Sequence, residues 1–253
     1  MTVFLVLKKA FQMLTCEYVG IIGKILRLRL FHVLLSKMVS FKFRGRKLKY
    51  FCHKYNTTYT NERIIEIPVI LDLMQNHTNH RILEIGNVLS HYIDVDHDIL
   101  DKYEKGARVI NEDIVSFKPR MKYDSVVCIS TLEHIGWDEN PEDTIRIYIH
   151  GENPETVLKN IEPKKIENTI EKIKTFLNDN GEIIFTFPTG YNPYLDEMIE
   201  TKRIQFDTMY CMKRISWCNI WKEDSYHNVK KLKYNERFPR ANGLIVGIIK
   251  LEK

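Results

Sequence analysis

Cysteine is sparse in this 253-residue sequence: Cys16, Cys52, Cys128, Cys211 and Cys218 are odd in number and include no CxxC pair. Neither a disulfide framework nor a zinc site is suggested, and a reducing compartment such as the cytoplasm fits best. Long apolar runs are missing as well. A membrane-spanning helix needs roughly 20 nearly uninterrupted apolar residues, and Lys8, Lys9, Glu17, Lys24, Arg27 and Arg29 break the apolar N-terminal segment. Its TVFLVL stretch precedes Lys8 and Lys9, the reverse of a secretory signal, so the N-x-[ST] matches at Asn56 and Asn76 carry little weight. There is no internal repeat, no low-complexity tract and no G-x-G-x-x-G, and the last absence argues against a nicotinamide-dependent oxidoreductase. Asp94, Asp96 and Asp98 share the spacing of a calcium loop, but Ile99 and Lys105 stand where an EF-hand requires glycine and glutamate. No metal is therefore expected. A net charge of +5 is too modest to imply nucleic-acid binding.

What is present is ordinary for a globular protein: 44% hydrophobic and 28% charged residues, enough for a core without disulfides. The charge is unevenly spread. Lys and Arg dominate from Lys8 to Lys54, where Glu17 is the sole acid, whereas residues 94–104 are acid-rich. Residues 1–60 thus read as a basic, apolar arm, and 61–253 as an α/β domain. VGIIGKILRLRLFHVLL, from Val19, has the spacing of a basic amphipathic helix. Packing on the main domain and peripheral attachment to an anionic membrane interface are both open to it. VSFKFRGRKLKYFCH, from Val39, alternates apolar and basic residues around Arg44–Gly45, the pattern of a β-hairpin whose basic teeth either hold phosphate or face water.

Beyond the arm, NERIIEIPVILDLMQNH reads as a helix in which Pro68 must sit early or bend the axis. Strand candidates follow: RILEIG, HDILDKY, RVINEDI, YDSVVCIS, GEIIFTFP and GLIVGIIKL. PKKIENTIEKIKTFLNDNG is the clearest helix, with Pro163 in its first turn, a stripe of Ile166, Ile170, Ile173 and Leu177, and Gly181 beyond its end. Strands rich in Ile and Val without strict alternation are buried on both faces. The expected fold is a Rossmann-like, mostly parallel sheet sandwiched by helices, with a helical and hairpin N-terminal extension. Ligands bind such sheets outside the carboxyl ends of the strands.

Four segments carry a closer signal. ILEIGN, residues 82–87, is an apolar strand, an acid, a spacer and a glycine. INEDI ends a later strand with Asp113. KYDSVVCISTLEHIGW, residues 122–137, has an aspartate entering an apolar strand and then S-x-L-E-H-I. LNDNGEIIFTFP is a helix end, a glycine turn and a strand closed by proline. In this order, across residues 81–188, they resemble the motifs of class I S-adenosylmethionine-dependent methyltransferases. The resemblance implies that Glu84 orders the loop and the methionine amino group, that the backbone at Gly86 passes close to the cofactor, and that Asp113 contacts the adenine amino group. Asn87, Ile114, Ser130 and Thr131 would complete the cofactor site. The chain departs from the family in the loop, where Gly86 is the lone glycine of a G-x-G-x-G pattern. It departs again in length, because residues 86–113 leave room for a short turn, one strand and a short connection. Asp101, at the end of HDILD, is the candidate for the ribose hydroxyls, with a surface role beside Lys102 as its alternative.

Methyl transfer to oxygen needs a proton removed, and histidine suits that task. His134 is the candidate base, with Glu133 beside it to orient it or to line the cofactor site; both also fit as ordinary loop residues. Residues 136–162 are long for a strand-to-helix link and suggest a lid or a substrate wall, in which Asp138, Glu139 and Glu142 could meet sugar hydroxyls, a cation or water. Tyr55, Asn56, Arg63, Trp137, Tyr191 and Asn192 are candidate acceptor contacts. Thr60 or Asn61 as a helix cap explains part of the string before Arg63. The expected function is methylation of a small-molecule acceptor, such as a sugar or polysaccharide precursor. The alternative is a non-catalytic relative serving as a binding module or scaffold.

Overall fold

The computed structural model describes residues 39–75, 80–148 and 150–251; the amphipathic segment from Val19 lies outside them. The first element is a hairpin of β1 (Ser40–Phe43) and β2 (Arg46–Lys49), turning at Arg44–Gly45 as the alternation requires. Helix α1 (Arg63–Met74) follows. Then come β3 (Ile82–Ile85), β4 (Asp98–Leu100), β5 (Val109–Ile110) and β6 (Tyr123–Ile129) with no α-helix among their described connections. Helices α2 (Pro141–Tyr148), α3 (Pro154–Val157) and α4 (Lys164–Lys174) lead to β7 (Leu177–Pro188). The chain continues through α5 (Pro193–Glu200), β8 (Thr208–Arg214), β9 (Trp221–Asp224), α6 (Tyr226–Val229) and β10 (Gly243–Lys250).

Eight strands form one sheet in the order β5-β4-β3-β6-β7-β10-β8-β9. The run from β5 to β7 is parallel. β10 is antiparallel to both β7 and β8, and β9 is antiparallel to β8. The architecture is thus the expected Rossmann-like α/β sandwich, with a reversed strand inserted near one edge. All six expected strands are present, and β8 and β9 are additional.

Consecutive residues of the central strands are buried because both faces are covered. Val126, Cys128, Ile183 and Phe185 pack with Ile166, Ile170 and Ile173 of α4 and Leu195 and Met198 of α5. Val127, Ile129, Ile184 and Val246 face the other way, toward Ile65 and Ile70 of α1. Leu177, expected to close the α4 stripe, instead opens β7 opposite Tyr123, and Asn180 makes the intervening turn at φ 61°. Phe41, Phe43 and Tyr50 belong to the same core as α1, so the described part of the basic arm packs directly on the sheet domain. Burying a phenylalanine side chain contributes about 1.5–3 kcal/mol.

Pro68 lies inside α1 rather than in its first turn. Lacking an N–H, it cannot donate to the carbonyl of Ile64. Phe51, on the exit from the hairpin, donates its backbone N–H to that carbonyl at 2.9 Å. The proline thereby frees an acceptor that ties the hairpin to the helix. No helix among the described residues is long and apolar enough to cross a membrane.

Candidate functional site

From β3 the chain steps outward through β4 to β5 and then returns to place β6 on the other side of β3. Such a reversal opens a crevice at the strands' carboxyl ends. Gly86 follows β3, Asp101 follows β4, Asp113 lies just beyond β5, and Ser130 and Thr131 follow β6. These residues meet in a two-lobed cleft. The deep lobe, about 130 Å³, is walled by Ile85, Leu100, Ile114 and Ile135 and bordered by Asp101, Asp113 and Lys102. The open lobe, about 810 Å³, adds Tyr55, Asn56, Asn87, Ser130 and Asp138. Gly86, Asp101, Thr131 and His134 border both lobes.

The loop after β3 is organised by carboxylates in place of the missing glycines. Glu84 is fully buried; its Oε1 accepts the amides of Val88 and Leu89, each at 2.8 Å, and its Oε2 lies 2.8 Å from His97 Nε2. It therefore sits beneath the loop and does not line the cleft. Asp101 accepts the amides of Asn87 (2.9 Å), Tyr103 (2.8 Å) and Glu104 (2.7 Å). Gly86 has φ +84°, and a Cβ there would collide with Thr131 Oγ1, which lies 3.2 Å from the carbonyl of Ile85 and 3.1 Å from that of Ile129. Thus the one retained glycine serves both the turn and its contact with β6. Val88 packs toward the α1 core and does not border the deep lobe.

A chain of charges spans the deep lobe. Lys102 Nζ is 2.9 Å from Asp113 and 3.7 Å from Glu139, and Lys165, in the first turn of α4, is 2.5 Å from Glu139. Partial burial works against ionisation of Asp113, but the Val115 amide and the Lys102 ammonium outweigh it and hold the carboxyl below its ordinary value.

At the open lobe, His134 Nδ1 lies 2.8 Å from Asp138 Oδ1. The Asp138 side chain is fully buried, and its Oδ2 accepts from Tyr191 Oη at 2.8 Å and Thr144 Oγ1 at 2.9 Å. Burial would depress the imidazole, but Asp138 and the neighbouring Glu133 raise it above its ordinary value. Orientation of His134 therefore comes from Asp138, not from Glu133. Glu133 points into the interior, its Oε2 buried without a hydrogen-bond partner, and burial lifts its carboxyl to about 8. A folded-state pKa above the unfolded one means the native state holds the proton more tightly from the usual carboxylate range up to about 8. Stability contributed by this group is therefore lost as pH rises through that window. Thermal unfolding midpoints are expected to fall between pH 5 and 8, and Glu133→Gln should flatten that slope.

The remaining candidates divide between the cleft and the surrounding core. Arg63 is ion-paired with Glu66, which also accepts from Ser130 Oγ at 2.7 Å; Arg63 thus backs Ser130, itself held at φ 40°. Trp137 belongs to a small core with Ile147, Val157 and Leu158, built by the 136–162 segment, and donates to Tyr148 Oη. Asn192 is the N-cap of α5, accepting from Tyr194 and Leu195, and donates to the carbonyl of Glu133 at 2.9 Å. Tyr55 stacks on His91 with centroids 4.5 Å apart at the mouth, beside Asn56 and Thr57 in strained left-handed backbone. Asn61 Oδ1 accepts the Arg63 amide at 3.1 Å, part of the capping role expected there. Lys102 and Lys165 were not anticipated. Charge-run reading treats such lysines as solvated, and only the strand order brings them to the cleft.

No family model matches the chain, and no curated protein does. Solved structures with a similar course of chain include the N-methyltransferase NodS from Bradyrhizobium japonicum WM9, at 10% identity over 73% of this chain and 85% of that one, with a TM-score of 0.42. A second is 1,6-didemethyltoxoflavin-N1-methyltransferase from Burkholderia thailandensis, at 10% identity over 94% and 93%, also with a TM-score of 0.42. A third is TehB from Haemophilus influenzae, at 12% identity over 79% and 65%, with a TM-score of 0.40. At these identities and TM-scores the likeness does not bear on what this chain does.

Proposed function

We propose that the protein is an S-adenosylmethionine-dependent methyltransferase acting on a small-molecule acceptor. The observation that supports this best is the convergence of Gly86, Asp101, Asp113 and His134 on one cleft at the switch between β3 and β6. The residues fit the group. Apolar Ile85, Leu100, Ile114 and Ile135 suit a purine ring, Asp113 an exocyclic amino group and Asp101 a pair of hydroxyls, while Gly86 keeps the turn free of a side chain. The deep lobe alone is below the roughly 300–1,000 Å³ of ordinary small-ligand sites, whereas with the open lobe the cleft falls within that range.

When bound, the cofactor supplies an electrophilic methyl group for in-line displacement. Asn87 and Ser130 border the open lobe and Thr131 borders both, and His134 stands where an acceptor proton can be taken up. Tyr55 and Asn56 offer a ring face and an amide at the mouth, which supports a sugar or polysaccharide precursor as the acceptor. A sparse, odd-numbered cysteine set with no CxxC pair supports a cytoplasmic location.

One observation favours the second reading, a non-catalytic binding or scaffold protein: Lys102 already occupies Asp113. Thermal unfolding with and without S-adenosylhomocysteine separates the two. A ligand held only by the native state adds about 2.7 kcal/mol of stability at a hundredfold excess over Kd and so raises the midpoint. A rise is the expected result; an unchanged midpoint at saturating ligand favours the scaffold.

A further inference from the structure

We infer that the open lobe is built for a hydroxyl acceptor, and that Asp138 is the positioning residue that presents His134 as the base for it. This rests on the methyl-transfer reading above. With Nδ1 directed at Asp138 Oδ1 (2.8 Å), the neutral ring carries its proton on Nδ1, and Nε2 keeps the lone pair for the cleft. About a third of the His134 side chain remains exposed, and it borders both lobes. Asp138 has little freedom to do otherwise. It is fully enclosed, Tyr191 and Thr144 both donate to its second oxygen, and the Tyr191 ring packs edge-on against the imidazole at 5.0 Å. Burial pushes the Tyr191 phenol far above its ordinary value, so its hydroxyl stays protonated and serves Asp138 as a donor.

A base held this firmly matters most to a nucleophile that must shed a proton as it attacks. A neutral amine already offers its lone pair, and its extra proton leaves after transfer. A hydroxyl attacks well only as its proton departs. In the balanced step the hydroxyl proton passes to Nε2 while the oxygen–methyl bond forms; the carbon–sulfur bond breaks with its electron pair staying on sulfur, and the imidazolium then releases its proton to water. The charged and titratable groups acting on His134 among the described residues include Asp138, Glu133 and Arg63, with the Tyr191 hydroxyl 3.3 Å from Nδ1.

The test uses the full chain and reads three quantities. The first is S-adenosylhomocysteine binding by calorimetry; its failure in the unsubstituted protein defeats the methyl-transfer reading itself. The second is the tautomer and titration of His134 by nitrogen-15 NMR, which needs no cofactor. Asp138→Asn should shift the ring away from the Nδ1–H form and lower its titration midpoint. Tyr191→Phe, which keeps the ring, should shift it less. An unaltered tautomer and midpoint in Asp138→Asn overturns the positioning role. The third is S-adenosylhomocysteine formation with phenol or aniline, two neutral rings of equal size at pH 7. Transfer to phenol is expected, with kcat falling about 10²–10⁴-fold in Asp138→Asn and KM little changed. Transfer to aniline alone, or to neither while S-adenosylhomocysteine still binds, overturns the hydroxyl assignment.

Discussion

Replacing Glu84 with alanine is expected to remove about 3–4 kcal/mol of stability and to abolish stabilisation by S-adenosylhomocysteine. The side chain is fully enclosed and receives two backbone amides at 2.8 Å and His97 at the same distance. Deleting it strands those donors away from water, and each stranded buried group costs about 1–3 kcal/mol. For a chain of this size that lowers the unfolding midpoint by roughly 6–15 °C. Because Glu84 does not border the cleft, the loss of ligand response would come through the loop and not through a severed contact. Glu84→Gln should be milder: its carbonyl oxygen can keep the Val88 and Leu89 amides, and its amide can still face His97. Calorimetric unfolding of both variants, with and without ligand, checks the expectation. An alanine variant that unfolds like the parent would show that the loop is held by something else.

Gly86→Ala is expected to have the second largest effect. At φ +84° an alanine is strained by about 1 kcal/mol, and its methyl would enter the space of Thr131 Oγ1. Thr131 can yield only by leaving the carbonyls of Ile85 and Ile129, where β3 and β6 end. Ligand affinity should fall at least about tenfold, the equivalent of roughly 1.4 kcal/mol. The double variant Gly86→Ala with Thr131→Ala relieves the collision and should recover part of the lost stability, so the two substitutions will not add. Strict additivity in that cycle would disprove the contact.

Much of the fold was legible because its central strands are continuous apolar runs. ILEI, SVVCI, EIIFTF and LIVGII can be buried on both faces only in a helix-covered sheet. β8 and β9 were not legible: TMYCMKR and WKED carry Thr208, Lys213, Lys222 and Glu223 within them. Pairing with β10 holds β8 in place, a tertiary context that local propensity does not encode. The site divides the same way. That Gly86, Asp101, Asp113 and His134 share one cleft was readable because each follows a strand, and strand order does the assembling. The enclosure of Asp138 was not, since it depends on Tyr191 and Thr144 closing around one carboxylate. Asn192, a candidate acceptor contact, caps α5, a role that Asn before Pro193 signals in the sequence. Trp137 looked like a wall of the cleft because an aromatic after a motif carries no mark of the small core it enters.

The proline in the middle of α1 gives the domain a mechanical linkage. One backbone hydrogen bond joins the stretch after the hairpin to the helix at Ile64. Two residues along that helix, Glu66 accepts from Ser130 Oγ at the brim of the cleft. Tyr55 and Asn56, which frame the mouth, are thus joined through this helix to Ser130 on the same rim. Pro68→Ala, by letting the helix reclaim its own bond, would loosen that joint.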